Sequence, residues 1–344
     1  MQIPVLEILR CPNCGGRLRW TVDVREGERV DAADGACDAD GRRFEVRDGI
    51  AVLLPRGSRD PWREMVSGLE RILRDHPAAE AALVARDPRG LRPADQFLRV
   101  QLFEARGRFR EAEAEQQAAN AAVYGHVFAN AVAQAIDALA DRLRDGDGAI
   151  LDVASGRGTL VQAHLRRGRR IIVATDVSPW ILRRLREKAL AVGLPAERLC
   201  LVACDARRLP FATDAFADLT TFEGLANIAA QAADDRRAPR AAARVLLEEW
   251  RRVAFRMHTV QSQYPAWDLF HRAVLARVGI SPLVLPGPFR RLLRESGWRV
   301  TAESGRSVVR RPTPRSRLVP GLAIDMLPVV PTRLRLEVLL AERI

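Results

Sequence analysis

The chain has 344 residues, 48% of them hydrophobic, which is enough for one large domain and a small one beside it. No apolar run approaches the roughly 20 residues of a membrane span, and "MQIPVLEILRCPNC" lacks the pattern of a secretory signal, so we expect a cytoplasmic protein with no membrane span. The net charge of +12 would suit RNA, yet 54 of the 55 basic residues are arginines scattered along the chain. RNA therefore stays an alternative partner to a small molecule.

Residues 1–57 are rich in turns and short strand patterns, which predicts a small β-rich domain. Cys11 and Cys14 have the spacing of a zinc knuckle, and Cys37 follows downstream. Asp40 stands where the second cysteine of a second knuckle would be expected. Three thiolates and one carboxylate can hold zinc, so we expect Cys11, Cys14, Cys37 and Asp40 as ligands. The alternative is a ribbon that has lost its metal and is stabilised by its hydrophobic core.

This N-terminal part resembles a known kind of small domain. "LEILRCPNCGGRL" and "FEVRDGIAVLLP" are similar to the zinc-ribbon activator subunit of tRNA, rRNA and protein methyltransferases. They also resemble the ribbon that precedes the catalytic domain in bacterial rRNA guanine methyltransferases. The resemblance implies that the ribbon supports a catalytic domain or helps to hold RNA.

Residues 58–120 are predicted to form a helical connector. Apolar residues recur there at helical spacing, for example at Phe97, Val100 and Phe103, and the helical pattern of two or three helices continues to about residue 143.

From Ala149 the pattern changes to strands that alternate with helices, in a domain predicted to span residues 121–344. The buried-type strands are "AILDV", "RRIIVATD", "RLCLVACD" and "FADLTTF". Such alternation predicts an α/β fold with an open, mostly parallel sheet covered by helices on both faces.

The loop "LDVASGRGTL" lies where ligands bind in open parallel sheets, at the carboxyl end of a strand. A dinucleotide fingerprint would place a third glycine at Val161, and a P-loop would need a lysine, so both are disfavoured. Asp152, Asp176 and Asp205 each follow a predicted strand. Three acids at one edge would repel a pyrophosphate and favour a cation with an adenosine body, such as S-adenosylmethionine.

At these residues the chain resembles the class I S-adenosylmethionine-dependent methyltransferases, with the quinone-biosynthesis type nearest. The motifs are "LDVASGRGTL", "ATDVSPWIL", "ACDARRLPFATDAFADL" and "LLRESGWRV", in order. The resemblance implies a Rossmann-like fold with a seven-stranded sheet. It implies a methionine pocket formed by Asp152, Ser155, Gly156 and Gly158; a ribose contact from Asp176; and adenine contacts from Val177, Asp205 and Ala206.

The segment "TTFEGLANI" should line the acceptor site, which makes Glu223 and Asn227 candidate catalytic residues, with Glu223 as a possible general base. We expect methyl transfer to a small apolar or phenolic acceptor. One alternative is an rRNA or tRNA base methyltransferase, suggested by the ribbon and the charge. Another is a non-catalytic scaffold, since "EEWRRVAFRMHTVQSQYP" lacks the Pro-Gly-Gly turn that family members commonly carry before the fifth strand.

Overall fold

The computed structural model describes residues 1–54, 58–85, 87, 90–232, 239–263, 286–311, 315–319 and 332–344. The expected domain boundary after residue 57 lies outside these residues.

The N-terminal part is β-rich, as expected. A short helix precedes four strands that pair in succession as antiparallel neighbours. These elements are α1 (Ile3–Ile8), β1 (Leu18–Glu26), β2 (Arg29–Cys37), β3 (Arg43–Arg47) and β4 (Ile50–Val52).

The helical stretch contains more helices than the sequence indicated. In its described part there are five: α2 (Pro61–Asp75), α3 (Pro77–Ala85), α4 (Pro93–Ala105), α5 (Phe109–Tyr124) and α6 (His126–Arg142). The expectation of two or three was too low because Pro77 begins a new helix, and because Gly107 and Gly125 adopt positive φ angles between helices. Helix α5 runs through the expected boundary at residue 120.

Strands and helices alternate from residue 150 onward. The strands are β5 (Ile150–Val153), β6 (Ile172–Asp176), β7 (Leu199–Ala203), β8 (Phe216–Phe222), β9 (Ala254–Gln263), β10 (Trp298–Arg310) and β11 (Thr332–Arg343). The helices are α7 (Thr159–Arg167), α8 (Pro179–Ala191), α9 (Gly224–Ala232), α10 (Pro239–Val253) and α11 (Pro286–Glu295). No helix in the described part of the chain combines the length and apolar character that a membrane crossing requires.

All described strands form one sheet, in the order β1-β2-β3-β4-β7-β6-β5-β8-β9-β11-β10. The Rossmann-like α/β fold is confirmed, and the strands from β7 to β10 in this order are the seven expected. The sheet is nevertheless mixed and has eleven strands, because the ribbon does not stand apart from it. Strand β4 pairs in parallel with β7, and Ile50 lies opposite Leu201. This pairing satisfies the backbone groups of an edge that would otherwise be open.

Helices cover both faces of the sheet, as expected. Leu151 and Val153 of β5 belong to a core that includes the ribbon, α10 and α11. Ile150, on the opposite face by strand alternation, belongs to a core that includes α6, α7 and α8.

The region without the Pro-Gly-Gly turn is intact. Helix α10 ends at Val253 and β9 begins at Ala254, with no residue between them. Strand β9 then pairs with β8 on one side and with β11 on the other. The helix therefore leads directly into a fully paired strand.

A buried ion cluster joins β8 to its neighbours. Asp218 is 1% exposed and accepts hydrogen bonds from Arg170 Nη1 at 2.8 Å and Arg256 Nε at 2.7 Å. His258 Nε2 lies 3.0 Å from the same carboxylate. Burial alone would raise the pKa of Asp218, but hydrogen bonds from His258 and the two arginines hold it well below its usual range.

We predict that Asp218→Ala lowers the free energy of unfolding by about 3–5 kcal/mol, because it leaves the guanidinium of Arg170 buried without its carboxylate. Urea unfolding followed by circular dichroism measures this. The matched control is Asp145→Ala, which removes an exposed ion pair with Arg144 and should cost at most about 1 kcal/mol. Equal losses in the two variants would contradict the interpretation.

Candidate functional site

The carboxylates expected at the cofactor site lie along one edge of the sheet. Strands β5, β6 and β7 are parallel neighbours, so their carboxyl ends meet at the same edge. Asp152 lies near the end of β5, Asp176 is the last residue of β6, and Asp205 follows β7 by two residues.

Asp152 and Asp176 are both deeply buried, at 2% and 7% exposure. The side chain of Asp152 accepts hydrogen bonds from Ser155 Oγ and Thr220 Oγ1, each at 2.7 Å. The side chain of Asp176 accepts from the backbone N–H groups of Gly156 at 3.0 Å and Ser178 at 3.1 Å. All these donors are uncharged.

Among the described residues, neither carboxylate forms an ion pair with an arginine or a lysine, unlike buried Asp218. Burial raises the pKa of Asp152 and of Asp176 to about 6, and the negative charge of Asp176 adds to the shift at Asp152. The edge therefore holds two adjacent acids whose negative charge is uncompensated when they are ionised.

The loop between β5 and α7 brings backbone close to this edge. Gly156 and Gly158 have φ angles of 49° and 78°, in the left-handed region that glycine adopts without strain. A Cβ at Gly158 would lie 2.1 Å from Leu185 Cδ1, so α8 packs directly on the loop. Ala154 also lies in the left-handed region, at a φ of 57°, which strains a residue with a Cβ.

Trp62, at the start of α2, reaches the same place and was not identified from the sequence. Its side chain donates a hydrogen bond to the carboxylate of Asp176. A Cβ built at Gly156 would lie 3.0 Å from Trp62 Cζ2, so the indole packs on the glycine loop. Beyond Trp62 lies a cavity of about 70 Å³ between α2, α4 and α8, with an apolar lining that includes Phe109 and Trp180.

The other expected cofactor residues lie at the ends of β6 and β7. Asp205 forms an ion pair with Arg207, whose Nη2 lies 2.6 Å from Oδ2. Burial alone would raise the pKa of Asp205, but the hydrogen bonds from Arg207 lower it. The carbonyl of Ala206 accepts a hydrogen bond from Trp250 Nε1 at 3.2 Å, and Val177 is half-buried directly after Asp176.

Glu223 lies at the same edge, immediately after β8. Its φ angle of 56° is strained, and its backbone N–H donates to the carbonyl of Val260 at 2.9 Å. Its Oε1 accepts from the backbone N–H of Ser262 at 2.7 Å, and burial raises its pKa. Asn227 is exposed on α9. The structure thus brings Glu223 to the site and leaves Asn227 on the surface.

A very small cavity of about 10 Å³, with room for about one water molecule, adjoins Glu223, and Gln261, Gln263 and Phe289 contribute to its lining. Sequence reasoning missed these residues. The available signal was the pattern "HTVQSQ", which places glutamines two apart, on one face of a strand.

The four expected metal ligands come together in the ribbon. The ligand atoms of Cys11, Cys14, Cys37 and Asp40 all lie within 4.8 Å of one another. Cys14 Sγ lies 3.5 Å from Cys37 Sγ, and Cys11 Sγ lies 3.6 Å from Asp40 Oδ2. A tetrahedral zinc with Zn–S bonds of about 2.3 Å requires similar separations.

The surroundings also fit a metal. A Cβ at Gly16 would lie 3.1 Å from Cys37 Sγ and 3.2 Å from Cys14 Sγ, so only glycine leaves the cradle open. Burial raises the pKa of the Cys11 thiol to about 11, so metal binding there must displace a proton.

Comparison with known proteins finds matches in two separate regions of the chain. Residues 150–249 match the sequence model of a family described as a methyltransferase domain. The chain is also 42% identical over 55 residues to a UPF0434 protein of Pectobacterium atrosepticum, covering 16% of this chain and 78% of that protein. A UPF0434 protein of Stutzerimonas stutzeri is 41% identical over 59 residues, covering 17% of this chain and 84% of that protein.

Solved structures resemble the chain at low identity. A putative methyltransferase from Bacillus halodurans is 17% identical, with a TM-score of 0.43, covering 60% of this chain and 97% of that one. Geranyl diphosphate C-methyltransferase from Streptomyces coelicolor is 14% identical, with a TM-score of 0.43, covering 62% and 78%. Magnesium protoporphyrin IX methyltransferase from Synechocystis is 14% identical, with a TM-score of 0.41, covering 61% and 84%.

The family match at residues 150–249 coincides with the strands, the glycine loop and the acids that form the sheet edge. The chain belongs to the UPF0434 family through its N-terminal region, and its residues 150–249 match the methyltransferase-domain family.

Proposed function

We propose that the edge formed by β5, β6 and β7 binds S-adenosylmethionine, and that the protein transfers its methyl group to a small apolar or phenolic acceptor. The observation that carries the proposal is the pair of buried carboxylates, Asp152 and Asp176, without a cationic partner among the described residues. A sulfonium ligand with an ammonium tail supplies positive charge there, whereas a phosphate-bearing ligand would add repulsion.

The proposal gives each expected contact a role. Asp176 is the acceptor for the ribose hydroxyls, and the indole of Trp62 must then leave its carboxylate. The methionine end lies against Asp152, Ser155, Gly156 and Gly158. Val177, Ala206 and Asp205 would hold the adenine, and Arg207 holds the carboxylate of Asp205 in place.

The chain's own part in the reaction is to position the acceptor, exclude water and remove a proton. S-adenosylmethionine supplies a methyl carbon made electrophilic by its sulfonium. Glu223 lies at the sheet edge next to this site, and its raised pKa makes it a better proton acceptor near neutral pH than an exposed glutamate. Asn227 would have to act from the exposed face of α9, so we assign it no catalytic step.

The arrangement of arginines favours a small acceptor over RNA. Many arginines are engaged with acids of the same chain, including Arg157 with Glu104 and Arg167 with Asp137. The positive charge of these arginines is therefore largely neutralised by acids within the fold. The intact pairing of β9 likewise argues against a damaged, non-catalytic domain.

We also propose that Cys11, Cys14, Cys37 and Asp40 hold one zinc ion. Its role is structural, because four protein ligands leave no open coordination position.

We expect Asp176→Asn to weaken S-adenosylmethionine binding at least about tenfold, since a hydrogen bond to a charged group contributes roughly 1.5–3 kcal/mol. Isothermal titration calorimetry measures the affinity, and circular dichroism verifies the fold. Asp145→Asn, at an exposed carboxylate, serves as the control and should bind like the wild type. Unchanged affinity in the Asp176 variant would overturn the ribose assignment.

Cofactor binding should weaken as the pH falls through 6. The pKa values of Asp152 and Asp176 are raised to about 6, so both lose their charge below that pH. Protonation of one such group makes the affinity at pH 5 about tenfold weaker than at pH 7.5. Because both folded pKa values lie above the unfolded ones, the same groups make the unliganded protein less stable as pH rises from about 4 to 6. Affinity that is constant or stronger at pH 5 would contradict this.

For the ribbon, we predict one zinc ion per chain in protein purified without chelator, measured by inductively coupled plasma mass spectrometry. Cys14→Ser should lose most of the metal and unfold at lower temperature, because structural zinc contributes directly to folding. Cys200→Ala, a buried cysteine outside the cluster, should keep it. A folded wild type that carries no zinc would refute the metal assignment.

A further inference from the structure

Residues 154–158 of the glycine loop contain a single cation, and it is paired away from the acids of the sheet edge. Arg157 lies between Gly156 and Gly158, and its Nη2 forms an ion pair with Oε2 of Glu104 on α4. The two side chains are 24% and 14% exposed, so water and salt screen this pair only weakly. An acid of the helical segment therefore neutralises the one positive charge of the loop.

Glu104 is held in place from α8 as well. Its Oε1 accepts a hydrogen bond from Lys188 Nζ at 3.0 Å, and Lys188 Nζ also lies 3.3 Å from Oε2 of Glu113 on α5. Burial alone would raise the pKa of Glu104, but Arg157 and Lys188 hold it below its usual value. Glu104 is therefore ionised at neutral pH and attracts both cations.

The backbone of the glycine loop is fixed by contacts other than this ion pair. The N–H of Gly156 donates to Asp176 Oδ2 at 3.0 Å. The carbonyl of Arg157 accepts a hydrogen bond from Gln162 Nε2 at 3.3 Å. Loss of the negative charge of Glu104 would therefore release the side chain of Arg157 and leave the loop in place.

A released Arg157 side chain is long enough to reach Asp176. The Cα of Arg157 lies within about 5 Å of the Gly156 nitrogen, and that nitrogen is 3.0 Å from Asp176 Oδ2. An extended arginine carries its guanidinium roughly 7 Å from Cα, which spans most of this separation and leaves the rest to a hydrogen bond. Arg157 also lines the same cavity as Trp62, the indole that donates to Asp176, so its side chain has room to turn.

We propose that Glu104 is a positioning residue of the cofactor site, which keeps the guanidinium of Arg157 off Asp176 and so preserves the negative charge that S-adenosylmethionine requires. This inference deepens the proposed function and rests on it. A cationic side chain and a cationic ligand compete for the same carboxylate, so the ligand binds more weakly when the side chain is free. The helical segment thus supports cofactor binding without touching the cofactor.

The test is a double-mutant cycle in the full-length protein, with S-adenosylmethionine affinity measured by calorimetry and the fold verified by circular dichroism. Glu104→Gln should weaken binding about tenfold, because Arg157 is then free to pair with Asp176. Arg157→Gln should bind within about twofold of the wild type, and the double variant should return to the same range. A purely structural role of Glu104 would not be rescued by removing Arg157.

Glu113→Gln is the matched control, because it removes the other acid of Lys188 and leaves the pair of Glu104 with Arg157 intact. It should bind S-adenosylmethionine within about twofold of the wild type. Wild-type affinity in Glu104→Gln, an undiminished loss in the double variant, or a tenfold loss in Arg157→Gln alone would overturn the proposal. The last of these outcomes decides even if Glu104→Gln does not fold. Failure of the wild type to bind S-adenosylmethionine would instead refute the proposed function.

Discussion

The organisation of this protein depends on negative charge buried at the ends of two parallel strands. Burial raises the pKa values of Asp152 and Asp176 to about 6, so ionisation of these carboxyl groups near neutral pH is unfavourable compared with exposed aspartates. Buried Asp218, by contrast, is paired with Arg170. The fold thus retains an unfavourable charge at this edge, and a cationic ligand would relieve it. The strained backbone of Ala154 and Glu223 lies at the same edge.

The N-terminal ribbon and the helical segment both pack beside the strands that carry these acids. Strand β4 continues the sheet beside β7, the strand that leads to Asp205. Helix α2 brings Trp62 onto Asp176 and the glycine loop. On α8, Lys188, the only lysine of the chain, pairs with Glu104 of α4 and Glu113 of α5. The segments that precede the methyltransferase domain therefore pack directly against it.

Local patterns were sufficient to predict the strands, the glycine loop, the acids at the sheet edge and the cluster of candidate metal ligands. They depend on periodicity and on residues close in sequence. The pairing of Ile50 with Leu201 and the contact of Trp62 with Gly156 could not be predicted, because they join positions far apart in the chain. The burial of Gln261 and Gln263, with side-chain atoms that lack partners among the described residues, could be recognised only in the structure. Asn227 is close to Glu223 in sequence but is exposed and does not line the cavity beside Glu223.

The most direct test is a crystal structure of the full-length protein with S-adenosylhomocysteine. The account predicts both ribose hydroxyls within hydrogen-bonding distance of the Asp176 carboxylate, with the indole of Trp62 displaced from it. A ligand bound elsewhere, or Trp62 still bonded to Asp176 in the liganded protein, would contradict it.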